Sequence, residues 1–310
     1  MRPPAPLARI YALILLTTVF WGGTAVAGKL VIDSIPPLTA GVLRYGASAL
    51  VLSALFWRRL PDVAALARRD ILLLVAVGVL GSFLNHILFF FALMWAPAAH
   101  GSIVPATTSP VWTMLLAAWL GGERVSRGQI AGIALCLVGV VLVVRPERLL
   151  AGGGLGVFFG DLLFLLGGLS WAVYSVLSKM AMRHVSASGT LAFGMAVGTT
   201  CLAPLSLLER PWAVLPRASA VSWLALAYLV VAGTVLSFLW WNIAIRRVGA
   251  GRTAIFSNLV PVFGVLLAWL VLGERLTLLQ LGGGFLALLG VLVCQDFRPG
   301  ADRRRAVHRA

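Results

Sequence analysis

Acidic residues are scarce in this 310-residue chain: Asp and Glu together number 10 against 25 Lys and Arg. Charged residues of both signs make up 11% of the total and hydrophobic ones 60%, whereas about a quarter of a soluble domain is charged. That shortage excludes an ordinary soluble fold. No Asp or Glu falls in the middle of an apolar run, so the sequence offers no carboxylate proton relay at a bilayer centre. The three cysteines, Cys136, Cys201 and Cys294, each sit inside an apolar run. They read as small buried hydrophobes and not as a disulfide or metal framework. No Gly-x-Ser-x-Gly, no Lys-Ser/Thr after a Gly-rich loop and no His/Asp/Glu cluster occurs. Hydrolase, nucleotide-driven and metal chemistry therefore lack their residues. The expectation is a chain with no enzymatic activity, no cofactor and no metal.

Apolar runs fill the space that charge leaves. Ten of them, at about 10–30, 36–57, 71–93, 99–120, 127–145, 158–179, 189–208, 220–244, 252–272 and 277–295, each approach the ~20 residues that cross a bilayer as a helix. The runs are continuous and lack the ten-residue alternation of a barrel. Helices are therefore the only way to satisfy their backbone groups in lipid. The fold class predicted is all-α, a polytopic membrane protein.

The net charge of +15 is an orientation signal and not a nucleic-acid footprint. With the N-terminus in the cytoplasm, 18 of the 25 basic residues fall on inside-facing segments and six on outside-facing ones, with Arg44 inside the second span. This asymmetry is the positive-inside rule. It predicts both termini in the cytoplasm, and the excess base faces anionic lipid.

A long signature occurs twice. With a shift of 151, Pro110 falls on Pro261, Gly122-Glu123-Arg124 on Gly273-Glu274-Arg275, and Gln129, Gly132 and Gly139 on Gln280, Gly283 and Gly290. Trp21 and Lys29 match Trp171 and Lys179 with a shift of 150. Each copy holds five spans. Because five is odd, the second copy enters the membrane upside down relative to the first. The result is two inverted five-helix repeats about an axis in the membrane plane, the architecture of alternating-access transporters. The division predicted is 1–145 for the first repeat, 146–157 for a Gly-rich linker, 158–296 for the second repeat and 297–310 for a basic cytoplasmic tail.

These residues resemble the EamA-type members of the drug/metabolite transporter superfamily. The marks are the paired prolines, the Gly-Glu-Arg after each, the Gly-rich fifth and tenth spans, and Gly160-Asp161 with Trp171 beyond it. The length, ten spans and Trp-rich interior are most similar to bacterial exporters of aromatic amino acids. The resemblance implies a secondary transporter in the inner membrane, exporting small metabolites. The alternatives are a multidrug or other metabolite exporter, including nucleotide-sugar traffic, and a non-transporting receptor. The small four-span relatives carry a glutamate in their first span, and this first span has none.

Polar and aromatic groups deep in the spans are the candidate ligands. His86, beside Asn85 in span three, can hydrogen-bond a solute or titrate; a bond to a helix carbonyl is the structural alternative. Trp21 is central in span one. Trp171, Tyr174, Ser175 and Ser178 share one face of span six at helical spacing. Ser109 and Trp112 share a face of span four, and Asn258 precedes Pro261 in span nine. The substrate-binding set is thus Trp21, Asn85, His86, Ser109, Trp112, Trp171, Tyr174, Ser178 and Asn258. Pro110 and Pro261 are candidate hinges, because proline frees a backbone carbonyl one turn earlier. Arg44 in span two can pair with a solute carboxylate. Lys29 and Lys179 read as snorkelling side chains, Asp161 and Glu274 as interfacial residues, and Trp240 and Trp241 as interfacial anchors. The partners expected are a small solute and lipid, with no nucleic acid; the sequence does not fix the oligomeric state, and a monomer is compatible with it.

Overall fold

The computed structural model of the protein describes residues 7–60, 65–121, 126–144, 154–248, 253 and 256–296. They form ten long helices: α1 (Leu7–Ile32), α2 (Pro37–Leu55), α3 (Arg68–Trp95), α4 (Ala98–Gly121), α5 (Arg127–Val144), α6 (Leu155–Ala181), α7 (Ala187–Ser206), α8 (220–248), α9 (Ser257–Leu272) and α10 (Leu278–Asp296). Each covers one of the runs read from the sequence, and no strand occurs among the described residues. Seven of the helices meet the length and hydropathy of a membrane span on the described residues alone. Leu50, Trp119, Leu224 and Phe285 lie largely exposed on the rim, which in a membrane protein is the lipid-facing surface. The linker before 154, the Gly122-Glu123-Arg124 motif and the basic tail lie outside the described residues.

Local chemistry sets the helix ends. Pro37 opens α2 with its φ already helical. Ser186 and Ser219 cap α7 and α8 by accepting from Gly189 N and Ser222 N at 3.0 and 3.1 Å. The repeated glutamines close reciprocal capping boxes. Gln129 Oε1 accepts from Ser126 N at 2.9 Å and Ser126 Oγ from Gln129 N at 3.2 Å. Gln280 does the same with Thr277 at 3.1 and 3.3 Å. One part of the sequence repeat is thus a pair of identical helix starts.

The helices pack with the symmetry of an inverted duplication. α4 and α3 lie against α6, as α9 and α8 lie against α1; α2 pairs with its counterpart α7, and α5 with α10. Glycine lets α5 and α10 touch backbone to backbone. A Cβ on Gly139 would strike the backbone of Gly283 and Ala287, and one on Gly290 the backbone of Gly132 and Cys136. Small residues give the close approach that van der Waals packing between membrane helices needs. Leu52, Met195 and Leu202 fill the α2–α7 seam.

The ends of the bundle differ. Where α5 stops and α6 begins (the linker end), Glu209 Oε1 and Oε2 accept from Leu38 N and Thr39 N at 2.9 and 2.6 Å. Ser34 Oγ donates to Ser222 Oγ at 2.8 Å. Glu274 accepts from Ala98 N and Ala99 N at 2.8 and 2.9 Å. Each of these bonds joins one repeat to the other, and the two carboxylates cap helices that the chain itself leaves uncapped. At the opposite, terminal end the described residues show one such side-chain tie, His184 Nδ1 to Asp70 Oδ2 at 3.1 Å.

Candidate functional site

Between the two repeats lies a cavity of about 310 Å3, within the size range of small-solute sites. Its wall draws on α1, α2, α3, α4, α6, α7, α8 and α9. α5 and α10 stay outside it, sealed together by their glycines. Two of the helices that line it depart from regular α geometry. α3 widens to a π segment over Val79–Leu84, and α8 does so over Val231–Leu236, its equivalent in the second repeat. Such segments free carbonyls and re-aim side chains. Here hydroxyls meet the freed groups: Ser170 Oγ donates to Leu80 O at 2.9 Å, Thr234 Oγ1 to Leu229 O at 2.8 Å and Ser237 Oγ to Ala232 O at 2.6 Å. Gly81 and Gly233 place bare backbone on the cavity wall, and the Tyr174 ring packs directly on Gly81.

Six of the nine candidate ligand residues line this space: Trp21, Asn85, His86, Ser109, Trp171 and Tyr174. Trp112, Ser178 and Asn258 do not; Ser257, one residue before Asn258, takes its place. The polar heads of Asn85 and Ser109 are engaged in holding α6, since they donate to the carbonyls of Gly167 and Gly168 at 3.0 and 3.1 Å. Pro110 lies on the wall within a continuous α4. Pro261 is not on the wall and does not interrupt an α-helix; it stands in the first turn of regular α9, after a 3-10 turn at Ser257–Leu259.

His86 is 1% exposed yet borders the cavity. Its Nε2 lies 2.8 Å from Pro37 O. A carbonyl only accepts, so Nε2 carries the hydrogen and Nδ1 is left as an acceptor. The ring stacks on Phe90 at 4.1 Å and meets the edge of Tyr45 at 5.4 Å. Gly41 makes room for it, because a side chain there would run into the imidazole.

The aromatic wall has two parts. Trp21 sits 5.7 Å from Phe238 and 4.9 Å from Trp241 between ring centroids. Trp171 leans on Tyr174 at 4.9 Å. Trp240 stacks on Phe20 at 5.6 Å. Trp240 and Trp241 therefore pack α8 onto α1 and are not the free interfacial anchors that their position suggests. Arg44, Tyr45, Ser82, Phe89, Thr190, Thr234 and Phe238 complete the wall. Apart from Arg44, spacing alone did not single these out. Ser82 and Thr234 lie in the π segments, and the others reach the wall through contacts between helices that no single-helix spacing carries.

Other ionisable groups also sit differently from their sequence expectation. Asp161 is 0% exposed and accepts from His100 Nδ1 at 2.8 Å. His100 Nε2 then accepts from Gln280 Nε2 at 2.9 Å. A buried chain Gln280–His100–Asp161 thus ties α10, α4 and α6 near the linker end. Lys29 does not simply reach for the interface; its Nζ donates to Ala96 O, the carbonyl beyond α3, at 2.8 Å. No group of three or more His, Cys, Asp or Glu suited to a metal occurs among the described residues.

Comparison with known proteins matches this architecture. The model of the EamA-like transporter family fits the chain twice, over residues 8–145 and 158–294. The chain is 27% identical to the uncharacterised transporter YyaM of Bacillus subtilis (strain 168), over 91% of this chain and 92% of that one. It is 30% identical to a probable amino-acid metabolite efflux pump of Salmonella typhimurium (strain LT2), over 91% and 93%. A solved crystal structure superposes with a TM-score of 0.62 at 24% identity, over 94% of this chain and 99% of that one; this likeness concerns the fold alone. Two matches of one family model, a relative at 30% identity along nearly the full length and a ten-helix inverted duplication lead to one conclusion: the chain belongs to the EamA-like transporter family and is a multi-pass membrane transporter of the drug/metabolite transporter superfamily, not an enzyme.

Proposed function

We propose that this protein exports small metabolites, specifically amino acids with aromatic or large apolar side chains, across the bacterial inner membrane by alternating access. The observation that carries the reading is the aromatic-walled cavity between two inverted halves, built from eight helices of both. A planar or branched apolar side chain gains from stacking and burial against Trp21, Phe89, Trp171 and Phe238. The relative named as an amino-acid metabolite efflux pump supports the same solute class. The two units that rock are residues 1–145 and 158–296, joined by the linker 146–157, with the tail 297–310 and both termini in the cytoplasm. The bending points are the π segments of α3 and α8, Pro110 in α4, and the junction of the 3-10 turn with regular helix at Pro261. The solute touches Trp21, His86, Trp171 and Tyr174.

Export of cationic drugs is the second reading, and the wall speaks against it. No Asp or Glu among the described residues lines the cavity, and a buried organic cation calls for a counter-charge.

The test is uptake of labelled phenylalanine, tryptophan and leucine into proteoliposomes. Trp171→Ala and His86→Ala are each expected to lower the rate at least tenfold, with the proteins still folded by circular dichroism. Normal transport by both variants would place the solute elsewhere.

A further inference from the structure

Among the residues that line the cavity, a few carry a buried polar atom that the fold leaves unused, and they lie on neighbouring helices. Arg44 Nε on α2, His86 Nδ1 on α3 and Thr190 Oγ1 on α7 are buried, and none has a hydrogen-bond partner. All three residues line the cavity, and α2 packs on both α3 and α7. Several other polar groups on the wall are already engaged. Asn85 and Ser109 hold α6, Thr234 and Ser102 bond back to Leu229 O and Ala98 O, and Thr24 bonds to Trp21 O. Among the buried side-chain atoms of the described wall residues, those on Arg44, His86 and Thr190 are the ones without a partner. A buried donor or acceptor without a partner is costly, the more so if charged, and a ligand that meets Arg44 and His86 recovers that cost.

Charge says what the ligand carries. Among the described residues Arg44 is the one Lys or Arg on the wall, and no carboxylate faces it. Its guanidinium carbon lies 5.2 Å from the Tyr45 ring centroid. That contact orients the group but leaves its in-plane N–H donors free. A planar fork of donors matches a carboxylate, which can accept two parallel bonds from it. His86, which shares the Tyr45 ring with Arg44, adds an acceptor lone pair. It suits any N–H or O–H donor on the neighbouring carbon and asks for no positive charge. An ammonium in this cavity finds a neutral acceptor at best, with a cation beside it.

We propose that the cavity selects its solute by the carboxylate, through Arg44, and that the ammonium of an amino acid is dispensable. N-acyl and 2-hydroxy analogues of an apolar amino acid are then ligands of the same site as the amino acid itself. The proposal rests on the reading of this cavity as the solute site and widens the solute class from apolar amino acids to apolar monocarboxylates that carry a donor on the neighbouring carbon.

The experiment is binding to the purified full-length protein, followed by tryptophan fluorescence. The probes are phenylalanine, N-acetylphenylalanine, 3-phenyllactate, phenylalanine amide and 2-phenylethylamine. The three carboxylates are expected to bind within about threefold of one another or in favour of the two analogues. The two probes without a carboxylate are expected to bind at least tenfold more weakly. Arg44→Gln should abolish that difference, and Arg44→Lys should keep part of it. If Arg44→Gln fails to fold, the probe series on the unaltered protein still decides. Phenylalanine amide binding as tightly as phenylalanine, or strict dependence on the ammonium, overturns the proposal. Labelled-phenylalanine uptake separates the two readings. Transport with no preference for carboxylates sinks the role of Arg44 alone. An Arg44-dependent preference for carboxylates in a protein that moves no solute sinks the transport reading alone.

Discussion

Asp161 illustrates how one side chain decides a local structure in a low-dielectric surrounding. Its carboxylate accepts from His100, whose other nitrogen accepts from Gln280, and the Gln280 amide also donates to Val143 O at 3.2 Å. This set is self-consistent only with the hydrogen on Nδ1 of His100, and it joins helices of both repeats. Asp161→Leu leaves the imidazole N–H buried and unpaired, at a cost of about 1–3 kcal/mol. Asp161→Asn retains an acceptor oxygen of the same reach. Thermal unfolding in detergent is expected to show a clear loss for the first and less than half that loss for the second. Equal losses would mean that the charge, and not the hydrogen bond, holds the junction. The sequence showed Asp161 at a span entrance, but its partner His100 is 61 residues away and no local pattern links them.

At the scale of the element, the Gly-rich tenth span separates two roles that look alike in sequence. Gly282 has nothing within 4 Å of where a Cβ would stand. For Gly283, the Gly139 carbonyl and the Leu142 Cβ would each lie 2.7 Å away. Gly283→Ala should therefore push α10 off α5, with a destabilisation of about 1–3 kcal/mol as in overpacked cores. Gly282→Ala should be neutral or stabilising, since Ala is the better helix former. Melting temperatures of the two variants check this, and a similar drop in both would refute the packing. The π segments are the other lesson at this scale. Prolines drew attention to α4 and α9, yet the departures that shape the cavity on α3 and α8 lie around Gly81 and Gly233. Nothing in the hydrophobic pattern distinguishes a π turn from an α turn over six residues.

Across the whole molecule, the ties between halves cluster at the linker end among the described residues. Glu209, Glu274, the Ser34–Ser219–Ser222 group and the Asp161–His100 pair all lie there. A transporter that alternates must break them to open that side. Ser34 Oγ and Ser219 Oγ are 3.5 Å apart, close enough for a disulfide when both are cysteine. In a background with Cys136, Cys201 and Cys294 replaced by alanine, Ser34→Cys/Ser219→Cys should lose transport on oxidation and regain it with reductant. Unimpaired transport by the oxidised double variant would show that these helix ends do not separate during the cycle.

The sequence alone determined the number of helices, their duplication and the opposite sense of the two halves. Apolar run length, a fixed shift and an odd count are properties of the chain and need no partner residues. It also pointed to Trp21, His86 and Trp171 as interior residues, because polar and amphipathic groups deep in a span are costly facing lipid. Only the tertiary structure decided which of them share one cavity, that Asp161 is buried against His100, and that Glu209 and Glu274 cap helices of the other half. Those facts depend on contacts between residues far apart in the chain, set by how closely backbones can approach, and spacing along a single helix does not carry that information.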